Sequence, residues 1–450
     1  MATSPAPQGA RSHIRRVAAS SYLGTAIEYY DFLLYGTAAA LVFNKVFFAD
    51  LSPAIGTVVA LATLAAGYLA RIAGAVLFGH FGDRLGRKTV MLTTMITMGV
   101  GSGLIGLLPT YAQIGALAPV LLVLLRLLQG LAVGGEYGGA VLMTAEHATA
   151  ERRGLASSAA AMGAPTGSIL ATAAMSLVAA LPEPELLAWG WRVPFLVSFA
   201  LLGIGLYFRV RISESPVFLA RSAAAVPPGM PITRLLRRHP GATVKAIGLQ
   251  VGAYCGQGVF GIFVISYAPT ESYARGAALN AVLIGTILSL AATPLYAAVS
   301  DRVGRRPVLL FGLISTAALA YPFFLLAGSH SVVGLTVGVV LGCLLGFTPV
   351  TAVAPVLLTE LFPTDVRYTG VSVSYQFAQT LGSGFTPLIA ASLLAATGGT
   401  GWIAAFLVVI AVASAGASRL VRETRGHRFA EQHLHSPTTP STPASAGETA

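Results

Sequence analysis

The sequence predicts an all-α membrane protein with twelve transmembrane helices in two pseudo-symmetric six-helix bundles. Of its 450 residues, 55% are hydrophobic and only 10% are charged, whereas soluble proteins average about 25% charged residues. Twelve apolar runs are long enough to cross a bilayer as helices. A polar motif also occurs twice, about half the chain apart, as in a duplicated membrane unit.

The apolar runs define the order of the helices and their orientation. We place them near residues 17–42, 54–79, 90–108, 115–143, 154–180, 191–211, 243–269, 277–299, 308–328, 332–358, 368–395 and 401–420. Most of the 28 Lys and Arg residues then fall on one side of the membrane, and only Lys45, Arg192 and Arg275 fall on the other. Basic residues concentrate in cytoplasmic loops. Both termini of this multi-pass protein of the cytoplasmic membrane are therefore predicted to be cytoplasmic.

This topology divides the chain into five segments. Residues 1–16 form a cytoplasmic N-terminal segment, and residues 17–211 form the first bundle. A cytoplasmic linker (212–242) leads to the second bundle (243–428). The tail (429–450) is rich in Pro, Ser, Thr and Ala, a composition that predicts disorder.

Composition excludes several other classes of protein. The net charge of +11 follows the membrane topology, so we exclude a nucleic-acid partner. Cys255 and Cys343 lie alone in separate apolar runs, and the eight histidines show no ligand spacing. Neither a metal site nor a cofactor is predicted. No nucleophile–base pair is apparent, so the sequence does not predict an enzyme.

The first span carries two acids, Glu28 and Asp31, within GTAIEYYDFLLYG. Their spacing, and that of Tyr35 four residues after Asp31, places all three on one helical face. A carboxylate at mid-membrane costs about 2.5–3.5 kcal/mol on insertion scales. The acids form either a structural pair satisfied by a neighbouring group or a functional site. We favour proton coupling by the acids, with Tyr30 and Tyr35 as substrate contacts.

The fourth span contains LLRLLQGLAVGGEYGGAVLM. Arg126, Gln129, Val133 and Glu136 fall on one stripe of this helix. They form either a structural network or a binding site in which Arg126 holds an anion, with Gln129 beside it. We favour the site, because a guanidinium matches a carboxylate bidentately, and we assign Glu136 to proton coupling.

Arg71 is the other cation within a span. It either extends to the inner membrane surface or faces the interior as a partner for Glu28 or Asp31. Three buried carboxylates, with that of Glu136, then face two cations, Arg71 and Arg126. One carboxylate is in excess, and its protonation would neutralise the set. Because desolvation favours the protonated form of a carboxyl, this imbalance predicts a route to proton coupling.

The repeated motif lies in two short polar gaps between spans. GHFGDRLGRKTVML (Gly79–Leu92) is matched by SDRVGRRPVLL (Ser300–Leu310). Its basic residues are either topology determinants alone or part of a cytoplasmic latch. We favour a latch in which the acids bind neighbouring helix ends and arginines in one state. The predicted gating residues are Asp83, Arg84, Arg87, Asp301, Arg302 and Arg305.

The second half carries no intramembrane charge to match the first. Its polar candidates lie in the seventh and eleventh spans, where they either line a cavity or form interhelical hydrogen bonds. They are Tyr254, Gln257, Tyr375, Gln376 and Gln379. We predict that these side chains shape the substrate site.

Several of these strings resemble a known family. GDRLGRK and SDRVGRRP resemble the signature loops of the major facilitator superfamily, between helices 2–3 and 8–9. GTAIEYYDF, RLLQGLAVGGEYGGA, GWRVPF and RISESPVF resemble its metabolite:proton symporter family, and ALVFNKVFF and PTYAQIG resemble the shikimate-transporter-like branch. The resemblance covers residues 17–428. It implies the major facilitator fold, alternating access and uptake driven by a proton gradient.

The resemblance also implies functional residues, here Glu28, Asp31, Arg126 and Glu136. We therefore predict a proton symporter that imports a small organic acid, with Arg126 binding its carboxylate. The open alternatives are a transporter of a zwitterionic amino acid or osmolyte, an exporter of a larger metabolite, and a sensor that binds without transport. We expect a monomer whose partners are the substrate, protons and the lipid bilayer.

Overall fold

The computed structural model describes residues 8–51, 53–222 and 229–426, and across these ranges it contains helices and no β-strand. The predicted all-α fold is confirmed. Twelve long helices follow one another along the chain: α1 (Gln8–Ala38), α2 (Pro53–Arg84), α3 (Arg87–Leu107), α4 (Leu117–His147), α5 (Arg153–Ala179), α6 (Arg192–Val210), α7 (Pro240–Tyr267), α8 (Arg275–Val303), α9 (Arg305–Ala327), α10 (Val332–Leu361), α11 (Arg367–Thr397) and α12 (Gly401–Arg419). Short helices occur between them, including the linker helix Pro231–Arg238.

The observed helix bounds lie within a few residues of the predicted spans, with one exception. Helix α1 begins at Gln8 instead of residue 17, because a helix propagates readily into a polar segment without proline once it has formed. By length and hydropathy, ten helices in the described ranges could cross a membrane, and α1 and α2 complete the twelve. The tail 429–450 lies outside the described residues, so its disorder stays a prediction.

The helices of the two halves pack in the same pattern. In the first half α1 packs against α5, α2 against α4, and α3 against α6. The second half repeats these pairs as α7 with α11, α8 with α10, and α9 with α12. The halves meet where α2 contacts α11 and where α5 contacts α8. The sequence repeat is therefore a structural repeat, and its two copies face each other across one interface.

Glycines bring α2 and α4 together at backbone distance. A Cβ atom added at Gly74 would lie 2.0 Å from the carbonyl oxygen of Leu131, and one at Gly134 would lie 2.2 Å from that of Arg71. This close approach is typical of small-residue packing in membrane helices. It places the arginine-bearing segments of α2 and α4 side by side.

Three helices of the second half contain a wide, π-helical turn. These turns span Gly258–Phe263 in α7, Gly342–Phe347 in α10 and Thr380–Gly384 in α11. Single π turns inside α-helices interrupt the regular hydrogen-bond ladder and are frequent at functional sites. All three lie in helices that pack around the interior of the second half.

Candidate functional site

A small cavity between α1 and α4, with α3 beside it, brings the predicted charged residues together. It has ≈ 10 Å³ of room for the centre of a water-sized molecule, about the space of a single water. We call it the charged chamber. Its walls are formed by Glu28, Asp31, Phe32, Met98, Arg126, Gln129, Gly130 and Val133. The helical stripes predicted for α1 and α4 therefore do face one another.

The two carboxylates of α1 are buried with little compensation. Glu28 is 0% exposed, and neither of its oxygens has a hydrogen-bond partner among the described residues. Asp31 is 2% exposed and accepts a hydrogen bond of 2.6 Å from the Ser198 hydroxyl of α6. Across the described ranges, neither acid forms an ion pair. Both acids are therefore buried carboxyls with cations nearby but without a direct ion-pair contact.

Arg126 and Arg71 pack around one aromatic ring. The guanidinium carbons of Arg126 and Arg71 lie 4.5 and 3.8 Å from the centroid of Phe32. Arg126 also lies 4.2 Å from the ring of Tyr35 and donates a hydrogen bond of 3.3 Å to Gln129. The contacts of Arg126 with Phe32 and Tyr35 fit the predicted arrangement of α1 and α4.

The structure decides between the two alternatives for Arg71. Its side chain is 1% exposed and donates a hydrogen bond of 3.2 Å to Gln379 on α11, so extension to the membrane surface is wrong. Arg71 faces the interior, but its observed partners are Gln379 and the Phe32 ring instead of Glu28 or Asp31. It therefore joins the charged region of the first half to the second half.

Glu136 is paired with an arginine that sequence reasoning missed. Both its oxygens accept hydrogen bonds from the Arg209 guanidinium on α6, and Thr94 on α3 donates one of 2.7 Å. Gly24 on α1 leaves the space, because a Cβ atom there would overlap Arg209. Arg209 lies near the end of the sixth predicted span, a position typical of basic residues at the membrane surface, so its sequence position does not reveal this pairing.

The pairing with Arg209 corrects the predicted excess of one carboxylate. Counting Arg209, the three acids predicted within the membrane, Glu28, Asp31 and Glu136, are matched by three arginines. Glu136 and Arg209 neutralise each other, which leaves Glu28 and Asp31 beside Arg71 and Arg126. The charges of these four residues therefore cancel when both acids are ionised. Each proton taken up adds one positive charge to the set.

The polar residues of α11 reach across to the first half. The hydroxyls of Tyr375 and Tyr29 are 2.8 Å apart, and Gln379 donates a hydrogen bond of 2.9 Å to Tyr29. The Tyr375 ring also stacks on that of Tyr137 at 3.6 Å between centroids. Gln376 donates to the carbonyl of Val133 at 3.4 Å. Tyr29 and Tyr137 therefore form part of the surface of the first half that contacts α11.

The remaining predicted contacts lie elsewhere. Tyr254 packs edge-on against Tyr375 at 6.0 Å, and Gln257 accepts a hydrogen bond of 2.6 Å from Ser383, so both stay within the second half. The Tyr30 hydroxyl donates to the carbonyl of Pro194 at 2.8 Å, and Tyr30 belongs to a hydrophobic core. Tyr30 does not line the charged chamber, because adjacent helical residues point about 100° apart.

At one end of the molecule, the first copy of the motif binds the start of α11. The Asp83 carboxylate accepts hydrogen bonds of 3.0 Å from the backbone N–H groups of Tyr368 and Thr369, and one of 2.8 Å from the Thr369 hydroxyl. A carboxylate at a helix N-terminus is stabilised by the helix dipole. Gly79, one turn earlier in α2, lets α11 approach, because a Cβ atom there would lie 2.9 Å from the Cα of Thr369.

Buried ion pairs support this contact. Glu146 at the end of α4 lies 3.4 Å from Arg87 and accepts a hydrogen bond of 3.2 Å from Arg367 at the start of α11. Glu214, after α6, accepts hydrogen bonds of 3.1 Å from the backbone N–H groups of Arg87 and Lys88. We call Asp83, Arg87, Glu146 and Arg367 the first latch.

The second half repeats the arrangement against the start of α5. Asp301 accepts two hydrogen bonds of 2.9 Å from backbone N–H groups of α5, including that of Gly154, and pairs with Arg305. Glu360 at the end of α10 lies 3.0 Å from Arg153 and 3.5 Å from Arg305. We call Asp301, Arg305, Glu360 and Arg153 the second latch.

Glu423 completes the second latch as Glu214 completes the first. It accepts hydrogen bonds of 2.9 and 3.0 Å from the backbone N–H groups of Arg305 and Arg306. Partial burial acts to raise the pKa of Glu423, but four backbone N–H donors together hold the pKa of this carboxyl below its ordinary value. It is therefore ionised at neutral pH. Sequence reasoning missed both acids, although RISES and RET place each just after the last helix of its half.

The two remaining predicted gating residues lie outside these buried networks. Arg84 is exposed and donates a hydrogen bond of 2.8 Å to the carbonyl of Gly229 in the linker, and Arg302 is exposed. Arg87 and Arg305, by contrast, are 0% exposed. A part in gating for Arg84 and Arg302 stays a prediction.

Two six-helix bundles share one packing pattern, with a buried charged chamber in the first half and a pair of ion-pair networks at one end. These features define a membrane transporter. The family model of the Major Facilitator Superfamily matches residues 21–373 and 246–444. The chain belongs to this superfamily.

The sequences of known relatives align with almost the whole length of this chain. The chain is 38% identical over 420 residues to the shikimate transporter of Escherichia coli (strain K12), covering 92% of this chain and 96% of that protein. It is 32% identical over 420 residues to the proline/betaine transporter of Salmonella typhimurium (strain LT2), covering 89% and 81%. The relatives are transporters, and this chain is a transporter and not an enzyme.

A solved structure shares the fold. The proton:xylose symporter XylE, bound to 6-bromo-6-deoxy-D-glucose, superposes with a TM-score of 0.77 and 22% sequence identity. The alignment covers 94% of this chain and 99% of XylE. The arrangement of twelve helices is therefore that of a solved major facilitator transporter.

Proposed function

We propose that this protein is a proton-coupled symporter of the cytoplasmic membrane that imports a small organic acid by alternating access. The observation that carries the proposal is the charged chamber, where Glu28 and Asp31 are buried beside Arg126 without ion pairs in the described ranges. Arg71 packs on the same Phe32 ring as Arg126. The shikimate transporter and other metabolite transporters among the relatives support a carboxylate-bearing substrate.

In this mechanism Asp31 and Glu28 carry the protons. Neither acid forms a direct ion pair in the described ranges, so a proton from the outside can bind without breaking such a contact. Protonation leaves the arginine charges uncompensated, which favours entry of an anion. Arg126 then binds the substrate carboxylate bidentately, while the contact of Glu136 with Arg209 fixes α6 against α4.

The two latches support a state closed at one end. We propose that this end is cytoplasmic, with both termini on the same side, because basic residues concentrate there. Asp83 and Asp301 each bind a helix N-terminus of the opposite half, so opening requires both contacts to break. Release of the substrate inside the cell therefore follows separation of α2 from α11 and of α5 from α8.

Uptake by membrane vesicles tests the proposal. Vesicles carrying the protein are given radiolabelled shikimate, with and without an inwardly directed proton gradient. We expect accumulation that depends on the gradient and that is lost in the D31N variant, since an amide cannot carry the coupling proton. E185Q, which changes an exposed acid to its amide, is the control and is expected to transport normally.

The other substrate class and the other direction of transport are outcomes of the same assay. Gradient-dependent uptake of betaine or proline, with no uptake of any organic acid tested, would replace the organic-acid assignment by a zwitterion. Accumulation of the acid in wild-type vesicles without a proton gradient would contradict coupling. Efflux on reversal of the gradient, with no uptake in the other direction, would assign an exporter.

A further inference from the structure

The Arg71 guanidinium is a buried cation that the proposed mechanism does not use. It makes one hydrogen bond to a side chain, that to Gln379, and its Nε and Nη2 atoms have no acceptor among the described residues. Five N–H groups are available on a guanidinium. Buried polar groups are nearly always paired, and one that is not needs an explanation.

Arg71 lies next to a second cation in the same condition. The Nε and Nη2 atoms of Arg126 also lack acceptors in the described part of the chain. Because both guanidiniums pack on Phe32, at 3.8 and 4.5 Å from its centroid, their separation cannot exceed the sum of those distances. Two like charges this close in a water-poor site repel each other strongly.

The neighbouring side chains relieve this repulsion only in part. Glu28 and Asp31 lie beside the arginines but form no ion pair with them in the described ranges. The aromatic rings of Phe32, Tyr35 and Tyr68 offer cation–π contacts, worth roughly 0.5–2 kcal/mol each. Protonation of either acid removes a negative charge that offsets the two arginines, so their mutual repulsion is less compensated. An anion with oxygens directed at both guanidiniums would remove the repulsion and satisfy the unpaired N–H groups.

We propose that Arg71 is a second anion-binding residue, so that Arg71 and Arg126 bind the acidic oxygens of one substrate together. This inference rests on the proposed function and narrows its substrate class to compounds with a net negative charge. The ≈ 10 Å³ cavity admits only about one water, so the site widens to receive the substrate. When Arg71 turns to the anion it releases Gln379, and α11 loses a contact with the first half.

The test measures substrate binding and stability of the purified full-length protein in detergent. Wild type, R71Q and R71K are titrated with shikimate, which carries one carboxylate, and with glycine betaine, a zwitterion. The Kd and the Tm without ligand are recorded for each. R211Q is the matched control, because it removes a guanidinium from an exposed residue that lies just after α6.

We expect wild type to bind shikimate and not betaine. R71Q should bind shikimate at least tenfold more weakly, and its Tm without ligand should be equal or higher, because a repulsion is removed. R211Q should keep the wild-type Kd within about threefold. R71K should bind more weakly than wild type at an unchanged Tm, because an ammonium cannot bind bidentately.

Two results would overturn the inference, and they differ in what they mean for the proposed function. If wild type binds shikimate and R71Q or R71K binds it within twofold of wild type, Arg71 is structural and the organic-acid proposal stands. If wild type binds betaine and no organic acid, both proposals fail. If the Tm of R71Q falls, its weaker binding no longer reports on the anion contact alone. The Kd of R71K then decides whether Arg71 binds the anion.

Discussion

Glu136 shows at the scale of one residue how a partner changes a role. Its position on the stripe with Arg126 favoured proton coupling, but Arg209 binds both of its oxygens. Two charge-assisted hydrogen bonds from a guanidinium hold a buried carboxylate strongly in place. Glu28, which has no such partner, is the better candidate for carrying a proton.

Substitutions in the Glu136–Arg209 pair should act on stability. E136Q or R209Q leaves one buried charge without its partner, which costs about 3–5 kcal/mol. We expect a marked fall in Tm for each single variant and a smaller fall for the double variant E136Q/R209Q, which removes both charges. Thermal unfolding in detergent measures this double-mutant cycle. Additive effects of the two substitutions would show that the pair is not coupled.

The same residues show what the sequence could predict. The spacing of Glu28, Asp31 and Arg126 placed them on facing helical stripes, since helical geometry alone fixes which residues share a face. The contacts of Arg209 with Glu136 and of Tyr30 with Pro194 could not be predicted, because these partners are distant in sequence. Helix periodicity gives no information on how α6 rotates against α1 and α4.

At the scale of the helices, the two copies of the motif bind the starts of α11 and α5 in the same way. The sequence repeat predicted both the latch and its acids. It did not reveal which helix ends the acids bind, because that depends on the packing of one half against the other. The sequence also did not distinguish buried Arg87 from exposed Arg84, because the local turn determines which of the two side chains is buried.

Removal of one latch acid should open this end of the molecule. D83N or D301N weakens the hydrogen bonds to a helix N-terminus, each charge-assisted bond being worth about 1.5–3 kcal/mol. Spin labels at the exposed residues Leu85 and Val303, in a background without the native cysteines, report the separation of the two turns. We expect a larger population at long distance in D83N and D301N. An unchanged distance distribution would contradict the latch.

Gly79 and Ala297 occupy matching positions in the two halves, which gives a paired test of close packing. G79A adds a Cβ atom that would lie 2.9 Å from the Thr369 backbone, a distance at which something must move. We expect G79A to shift the same spin-label pair to longer distance. A297G removes a methyl group from the other half and should leave it nearly unchanged. Equal behaviour of both variants would contradict this account.

The whole molecule has a charge balance that predicts how transport is driven. Glu28 and Asp31 offset Arg71 and Arg126 when the chamber is empty. If each proton accompanies one negative charge of the substrate, the loaded chamber carries the same net charge as the empty one. Transport should therefore respond to the pH gradient and not to the membrane potential.

Proteoliposomes separate the two driving forces. A potassium gradient with valinomycin sets an inside-negative potential at equal pH, and an acid exterior with the potential clamped sets a pH gradient alone. We expect uptake of shikimate only in the second condition. Uptake driven by the potential at equal pH would show that net positive charge moves with the substrate.

The π-helical turns of α7, α10 and α11 bear on how the molecule changes shape. Each turn leaves a helix with a locally weakened backbone ladder, which can flex at that point with little loss of hydrogen bonding. In the first half, π-helical turns follow α1 (Ala39–Phe43) and precede α6 (Leu186–Gly190), outside the tight α2–α4 contact and the buried Glu136–Arg209 pair. We expect the segments of α2, α4 and α6 that pack there to move as a stiff body while the second half deforms around the cargo.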